Sequence, residues 1–201
     1  MTAPVPTTQT RAEATRAKLE QATVASLAEC GYAGTSTQEV CRRAGVSRGT
    51  MLHHYPNRNA LLLAALDRIL GERLSSFVAA RQGLARLTPR ELVRELWAEW
   101  KGPVHAAWLE LAVAARTEVE LRDPMRETMA RFEDEIRAAF VELVDTGPLP
   151  AALAEALPFL MFSIFNGLAV GASYEQAGHS EPLIEAVEML TGLLPPTGGS
   201  R

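Results

Sequence analysis

The chain has 201 residues, of which 47% are apolar and 22% charged. These values are ordinary for a globular protein, which argues against a disordered or fibrous chain and allows one domain, or a small domain joined to a larger one. The net charge of −4 excludes nucleic-acid binding through an overall positive charge.

The charge is unevenly distributed along the chain. Residues 1–58 carry seven Lys and Arg against four Glu, a net charge of +3, whereas the remainder carries thirteen cations against twenty carboxylates, a net charge of −7. A small basic head on an acidic body predicts an anionic partner for the head alone.

The first segment, MTAPVPTTQTR, is polar and contains prolines. It lacks the basic and apolar regions of a signal peptide, so we expect a disordered arm over residues 1–10 and a cytoplasmic protein. The two cysteines, Cys30 and Cys41, lie in helix-like patterns, which favours buried thiols over a disulfide framework.

Three short helices are predicted in the head. The first covers about residues 12–29, and Gly31 is placed to stop it. The second opens at TSTQEV, where Ser36 and the glutamate three residues later nearly form a capping box, and it ends at the glycine of AGVS. Ser47 caps a third helix, RGTMLHHY, which Pro56 ends. Two helices joined by a short glycine-containing turn form a helix-turn-helix, whose second helix enters the DNA major groove.

The segment GYAGTSTQEVCRRAGVSRGTMLHHYPNRNALLLAAL, residues 31–66, resembles the DNA-binding signature of the tetracycline-repressor (TetR) family of bacterial transcription regulators. The resemblance covers residues 12–66 and depends on the ordered Gly-Tyr, Ala-Gly-Val-Ser, Gly-Thr and His-Tyr. It implies a helix-turn-helix DNA-binding domain over residues 11–57 and a helical effector-binding and dimerisation domain over residues 58–195. A disordered tail is expected over residues 196–201.

Two positions depart from the family pattern. Leu52 stands where the family often has a tyrosine, which removes a phosphate contact. Asn57 or Arg58 stands where the family often has a lysine, and arginine can still hold a phosphate oxygen. We expect lower DNA affinity than usual, or replacement contacts from His53 and Tyr55.

The candidate DNA contacts divide by residue chemistry. Arg48 can bond guanine O6 and N7 or a phosphate, Thr50 can touch a base edge or a thymine methyl, and Gly49 lets the backbone approach closely. Phosphate contacts, which fix register without specifying sequence, are predicted for Ser36, Thr37, His53, Tyr55 and Arg58. Arg42 and Arg43 are candidates whose alternative is a solvated surface charge. The full candidate set is Thr35, Ser36, Thr37, Arg42, Arg43, Ser47, Arg48, Gly49, Thr50, His53, Tyr55 and Arg58.

The adjacent His53 and His54 suggest a metal site with Cys41. Successive helical residues point about 100° apart, however, so the two imidazoles cannot easily share one ion. We therefore expect no metal and no cofactor, with His54 packed beneath the helix and His53 facing the groove.

The remainder of the chain is predicted to be helical. A long amphipathic helix covers residues 58–81, and Gly71 lies inside it. Later helices are predicted from Pro89 and over residues 104–121, 124–144, 156–174 and 181–194. No segment shows strand alternation or a repeat, so the predicted fold class is all-α.

Aromatic side chains of the body are candidates for a small-molecule effector site. Such residues more often form plain core, but His105 and Arg116 lie near Trp108 at helical spacing, and buried polar groups need partners. The resemblance implies an effector that alters the spacing of two DNA-binding heads. The candidates are Trp97, Trp100, His105, Trp108, Arg116, Phe132, Phe162, Phe165 and Asn166. Arg116 and His105 favour an anionic or hydrogen-bonding aromatic effector.

The segment ALPFLMFSIFNGLAVGASY, residues 156–174, carries no charge and contains a GxxxG pattern, so a membrane anchor is an alternative. Flanking Glu155 and Glu175, internal polar residues and an overall mean hydropathy near zero disfavour it. We expect a homodimer and no membrane contact. The candidate interface residues are Leu157, Leu160, Ile164, Gly167, Leu168, Gly171, Leu183, Val187, Leu190 and Leu194.

Together with these patterns, the resemblance implies a ligand-responsive transcriptional regulator, most simply a repressor. Two heads related by a two-fold axis would bind a palindromic operator in double-stranded DNA, with half-sites roughly 34–36 Å apart. A membrane-tethered regulator is one alternative. A helical enzyme using His105, Glu110 or Arg116 is weaker, because no nucleophile–base pair, phosphate loop or metal cluster shows a mechanistic spacing.

Overall fold

The computed structural model describes residues 8–82, 84–100, 102–145, 150–172 and 180–192. Within those ranges the chain forms nine helices and one isolated parallel bridge, between Leu87 and Val144, which confirms the all-α prediction. The helices are α1 (Thr8–Gly34), α2 (Thr37–Ala44), α3 (Arg48–His54), α4 (Arg58–Arg81), α5 (Pro89–Trp100), α6 (Pro103–Ala115), α7 (Val119–Leu143), α8 (Ala151–Ala172) and α9 (Ser180–Gly192). Residues 8–10 belong to α1, so the predicted arm does not extend to residue 10, and the predicted tail lies outside the described residues.

The helix-turn-helix is formed by capping interactions that the sequence predicts. The Ser36 hydroxyl accepts the N–H of Glu39 at 3.1 Å and begins α2, and Gly45 ends α2 in the left-handed region at φ 66°. The Ser47 hydroxyl accepts the N–H of Thr50 at 3.0 Å and begins α3. Each cap satisfies an N–H that has no partner inside its own helix, which sets the first residue of the helix.

The junction between α6 and α7 differs from the prediction. α6 ends at Ala115 rather than near residue 121, and α7 begins at Val119 with Pro124 inside it. The guanidinium of Arg122 donates to the carbonyl oxygens of Ala115 at 3.3 Å and Arg116 at 2.9 Å. This side chain caps the carboxyl end of α6, an interaction between helices that the spacing of apolar residues does not indicate.

The chain packs into two compact units. The first, called here the head unit, comprises residues 1–72 and 103–130, and the second, the body unit, comprises residues 73–102 and 131–201. The head unit therefore includes α6 and the start of α7 in addition to α1, α2, α3 and most of α4. This division by packing does not coincide with the predicted functional boundary at residue 58.

One apolar cluster holds the helix-turn-helix together. Leu19 of α1, Val40 of α2, Met51 of α3 and Leu61 of α4 are almost completely buried in it. Burial of such a side chain stabilises the fold by about 1.5–3 kcal/mol. Because Met51 lies in this core, the opposite side of the short α3 faces solvent.

The core of the body unit combines α5, α7, α8 and α9. Trp97 and Phe165 pack in it with ring centroids 6.0 Å apart, and Ile184 joins them from α9. Leu157 is 3% exposed in the same cluster, so its prediction as a dimer contact is wrong for a physical reason: its surface is already covered by its own chain.

Among the described residues, α8 alone is long and apolar enough to cross a membrane, with a mean hydropathy of 1.7. Core helices of other proteins meet the same criteria. Here Phe165 and Ala169 lie in the core, whereas Leu160 on the same helix is 45% exposed. The helix therefore has one face buried in its own chain and another that its chain leaves open.

Candidate nucleic-acid interface and internal cavity

α3 presents a polar surface away from the core. Arg48, Gly49 and His53 are exposed, and Thr50 is half-buried. The hydroxyl groups of Thr50 and Ser47 lie 2.8 Å apart, within hydrogen-bonding distance. The arrangement places a guanidinium, a hydroxyl and a residue without a side chain on consecutive positions of an exposed helix, which suits contact with base edges and phosphates.

The exposed residues of α2 extend this surface. Ser36 and Arg42 are exposed and Thr37 is half-buried. Arg42 forms a bidentate pair with Glu39, through contacts of 2.7 and 2.8 Å. Its positive charge is therefore partly neutralised before any anion arrives, which favours the predicted alternative of a surface charge.

Arg43 is more strongly engaged than Arg42. Its side chain is only 19% exposed and contacts Glu39 at 2.6 Å and Glu29 at 2.7 Å. Hydrogen bonds from Arg42 and Arg43 lower the pKa of the Glu39 carboxyl to about 2. Two carboxylates thus hold Arg43 against the head unit, so its predicted DNA contact would require breaking ion pairs.

Three predicted DNA contacts are corrected by the packing. Thr35 is 1% exposed, and its hydroxyl donates to the Gly31 carbonyl at 2.8 Å. Arg58 donates to the carbonyls of Thr35, at 2.6 Å, and Tyr32, and its guanidinium lies 4.1 Å from the centroid of the Tyr32 ring. These groups join α4 to the end of α1 and are occupied within the fold.

Tyr55 is the third correction. It is buried, and its hydroxyl donates to Glu20, whose other carboxylate oxygen lies 2.8 Å from Arg68. Burial, with a smaller effect of Glu20, raises the pKa of Tyr55 well above its ordinary value. The phenol therefore joins α1 to the segment after α3 and does not reach a phosphate.

Arg16 is a cation near α3 that sequence reasoning missed. It is exposed on α1, yet it lies close enough to His54 that its charge helps burial and His53 to lower the pKa of His54. Arg16 and His54 of α3 lie thirty-eight positions apart in the sequence, so no local spacing indicates that they are neighbours. His54 is half-buried and His53 exposed, as predicted.

Glu110, which the sequence suggests only as a residue of the enzyme alternative, has a structural contact that the sequence does not indicate. Gly31 adopts φ 69° and ψ 179°, which kinks α1, and the Glu110 carboxylate of α6 accepts the freed N–H of Tyr32 at 2.7 Å. A Cβ on Gly31 would lie 3.0 Å from the same carboxylate. A side chain from α6 thus accepts a hydrogen bond at the kink immediately before the helix-turn-helix.

Within the described residues, no group of three His, Cys, Asp or Glu is arranged to hold a metal ion. Cys41 is buried, and burial raises the pKa of its thiol despite the opposing charge of Arg48. Cys30 is exposed, which corrects the prediction of two buried thiols.

The body unit contains an apolar cavity of about 90 Å³. Three of the predicted effector residues, Trp100, Phe132 and Phe162, contribute to its wall. The full lining is Leu74, Leu92, Leu96, Trp100, Phe132, Ile136, Ala139, Phe140, Leu143, Val144, Pro158, Met161 and Phe162.

The other predicted effector residues do not line this cavity as described. Trp97 and Phe165 pack in the adjacent core, and the Asn166 amide donates to the Phe162 carbonyl at 2.8 Å. His105, Trp108 and Arg116 belong to the head unit: His105 stacks on Trp108, whose indole N–H donates to the Met129 sulfur at 3.3 Å, and Arg116 is exposed. The nine candidates are therefore divided between the units, six in the body unit and three in the head unit.

The remaining candidate dimer residues that the structure describes fall into two groups. Leu160, Leu183 and Leu190 are exposed large apolar side chains, and Gly167 is also exposed. The half-buried members are Ile164, Leu168, Gly171 and Val187. Leu194 lies outside the described residues.

Known proteins resemble the chain in sequence and fold. The family model described as "Bacterial regulatory proteins, tetR family" matches residues 19–65. A protein named as an HTH-type transcriptional regulator of Mycobacterium tuberculosis is 30% identical over 196 residues, which cover 94% of this chain and 96% of the relative.

Solved structures show the same fold over the same extent. A structure described as a TetR-family transcriptional regulator of Rhodococcus sp. is 25% identical, with a TM-score of 0.73 over 90% of this chain and 98% of that one. A transcriptional regulator of Saccharomonospora viridis, solved in complex with choline, is 20% identical, with a TM-score of 0.66 over 90% and 94%. Together with the capped and exposed α3, these matches show that the chain belongs to the TetR family of DNA-binding bacterial transcription regulators.

Proposed function

We propose that this regulator is a repressor that binds a palindromic operator as a homodimer and leaves it when a small molecule occupies the body cavity. The observation that carries the proposal is α3, which is anchored in the core through Met51 and presents Arg48, Gly49 and Thr50 to solvent. One helix of seven residues contacts too few base pairs for specificity, so two heads related by symmetry are needed.

The dimer proposal is supported by the open face of the body unit. Leu160 on α8 and Leu183, Met189 and Leu190 on α9 are 45–66% exposed. Large apolar side chains grouped on two helices favour contact with a second copy, which would remove their surface from water.

The effector proposal is supported by α4 and by a protein of the same fold. Leu61 and Leu62 of α4 are buried in the head unit, and Leu74 of the same helix lines the cavity. The Saccharomonospora viridis regulator was solved with choline, a small molecule. A ligand that prefers one position of α4 would change DNA affinity by its difference in affinity for the two states.

Selection of bound sequences from a random duplex library, at a stated salt concentration, tests the proposal. We expect a palindromic consensus, to which Arg48→Ala and Thr50→Ala each bind about 5–150-fold more weakly, the equivalent of about 1–3 kcal/mol per base contact. Arg126→Ala, which changes an exposed arginine of α7, is the control and should bind normally. Failure to enrich any sequence, with circular dichroism showing folded protein, would contradict the proposal.

The family assignment does not favour the membrane-tethered alternative, because the relatives match over almost their whole length and are transcriptional regulators. The enzyme alternative gains no support from the described residues. Glu110 is occupied by the backbone N–H of Tyr32, and His105 is buried against Trp108.

A further inference from the structure

We infer that the ligand of the body cavity is a small, uncharged, apolar molecule about the size of one aromatic ring. The sequence favours an anionic or hydrogen-bonding effector instead. The inference depends on the proposed function, because it names the chemical class of the effector for the same cavity.

The inference is based on the residues that line the cavity. Its residues come from α4, α5, α7 and α8 and from Val144 after α7, and they are aliphatic or aromatic, with the thioether of Met161 and the indole of Trp100 as their most polar side-chain groups. No Asp, Glu, Lys, Arg, His, Asn, Gln, Ser or Thr belongs to the described lining. A carboxylate or ammonium entering this space would lose its water and meet no opposite charge, which is strongly unfavourable.

The polar groups that suggested an anionic ligand do not belong to the described lining of the cavity. Arg116 and His105 are in the head unit, and His105 stacks on Trp108. Asn166 follows Phe162 by one helical turn, but its amide donates to the Phe162 carbonyl within α8. None of these three side chains contributes to the described wall of the cavity.

The size and the aromatic lining define the ligand further. The space of about 90 Å³ is of the same order as an engineered apolar cavity of roughly 150 Å³ that binds benzene, so it suits a ligand of about one ring with at most a short alkyl group. Trp100 and Phe162 form an edge-to-face pair at the wall, with centroids 5.3 Å apart and planes at 86°. Such walls offer ring faces and edges to another aromatic ring.

A matched pair of ligands tests the class with the full-length protein. Ethylbenzene and phenylacetate have nearly the same shape, but phenylacetate has a carboxylate where ethylbenzene has a methyl group. We expect saturable binding of ethylbenzene, by tryptophan fluorescence and calorimetry, at least tenfold tighter than that of phenylacetate.

Two adjacent alanines of α7 provide the variants. Ala139→Leu fills the cavity and should weaken ethylbenzene binding at least tenfold, whereas Ala138→Leu, on the exposed side of the helix, should leave it unchanged. Ile136→Ala enlarges the cavity and serves if Ala139→Leu does not fold. It should shift the preference toward butylbenzene over ethylbenzene at least threefold.

Equal affinity for phenylacetate, or no saturable ethylbenzene binding by folded protein, would overturn the inference. Operator binding measured on the same samples separates this result from failure of the proposed function. If the protein binds its palindrome but does not bind ethylbenzene, only the proposed class of ligand is refuted. Protein that binds ethylbenzene and no palindrome refutes the DNA proposal and keeps the cavity assignment.

Discussion

Tyr55 directly follows α3, the helix proposed to contact DNA, and is buried within the head unit. Tyr55→Phe removes the hydrogen bond to Glu20 and leaves a buried carboxylate oxygen without that donor, although Arg68 still contacts the other oxygen. We expect the free energy of unfolding to fall by about 1–3 kcal/mol in urea denaturation. The operator affinity of the folded variant should be unchanged. Large loss of affinity at unchanged stability would show instead that the hydroxyl contacts DNA.

We expect the stability of the head unit to depend on pH through the Glu39 carboxyl. Its pKa in the folded protein is about 2, below its ordinary 4.5, because Arg42 and Arg43 bond the ionised form. A lowered pKa stabilises the fold above pH 4.5, and this contribution is lost as the pH falls from 4.5 toward 2. We therefore expect the urea midpoint of Glu39→Gln to fall less between pH 5 and pH 3 than that of the unaltered protein.

The matched control for this pH dependence is Glu135→Gln, which changes an exposed carboxylate of α7. Its urea midpoint should fall with pH as that of the unaltered protein does. Equal slopes for all three proteins would refute the assigned role of Glu39.

At the scale of helices, we expect α6 to stabilise the bend in α1. Glu110→Ala removes the acceptor of the half-buried Tyr32 N–H, and since an unpaired buried donor costs about 1–3 kcal/mol, this one should cost about 1 kcal/mol. We expect that loss in urea denaturation, together with weaker operator binding, because the kink directly precedes α2. Glu110→Gln keeps an acceptor oxygen and should retain most of the stability and affinity. Full activity of Glu110→Ala would show that Gly31 bends α1 unaided.

The helices of the head could be predicted because their signals are local. Ser36, Ser47 and Gly45 act on residues within one helical turn, so the sequence contains the whole interaction. The end of α6 could not be predicted in the same way. That end is capped by Arg122 of the next helix. At the kink, the N–H of Tyr32 bonds Glu110, and these two residues lie seventy-eight positions apart in the sequence.

The same distinction between local and long-range interactions applies to the candidate site residues. Arg48, Arg43 and Arg58 look alike in the sequence, but the first is exposed, the second is held by two carboxylates and the third bonds two backbone carbonyls. The sequence predicts an effector site that includes His105 and Arg116 beside aromatic residues, yet neither of the two belongs to the described wall of the cavity. Which side chains meet across helices is decided by packing, which residue types alone do not specify.

For the whole molecule, the central prediction is self-association through α8 and α9. Leu160→Arg changes a side chain that is 45% exposed in the single chain, so the fold should survive while a charge enters the proposed interface. We expect light scattering to give the mass of one chain for the variant and of two for the unaltered protein, with at least tenfold weaker operator binding by the variant.

Val141→Arg is the control for this experiment, because Val141 is 68% exposed on α7, outside the proposed interface. It should remain a dimer with normal operator affinity. An unaltered protein with the mass of one chain at micromolar concentration would refute the dimer.

Leu52 leaves 45% of its surface in water on a helix whose other exposed positions are Arg48, Gly49 and His53. A phosphate contact made by a cationic side chain releases counterions and weakens as salt rises, whereas a leucine covered by DNA releases only water. On a plot of log affinity against log salt, Leu52 should therefore affect the intercept and leave the slope unchanged. This regulator would keep at high salt a share of its affinity that a head with a cation on a phosphate at this position loses.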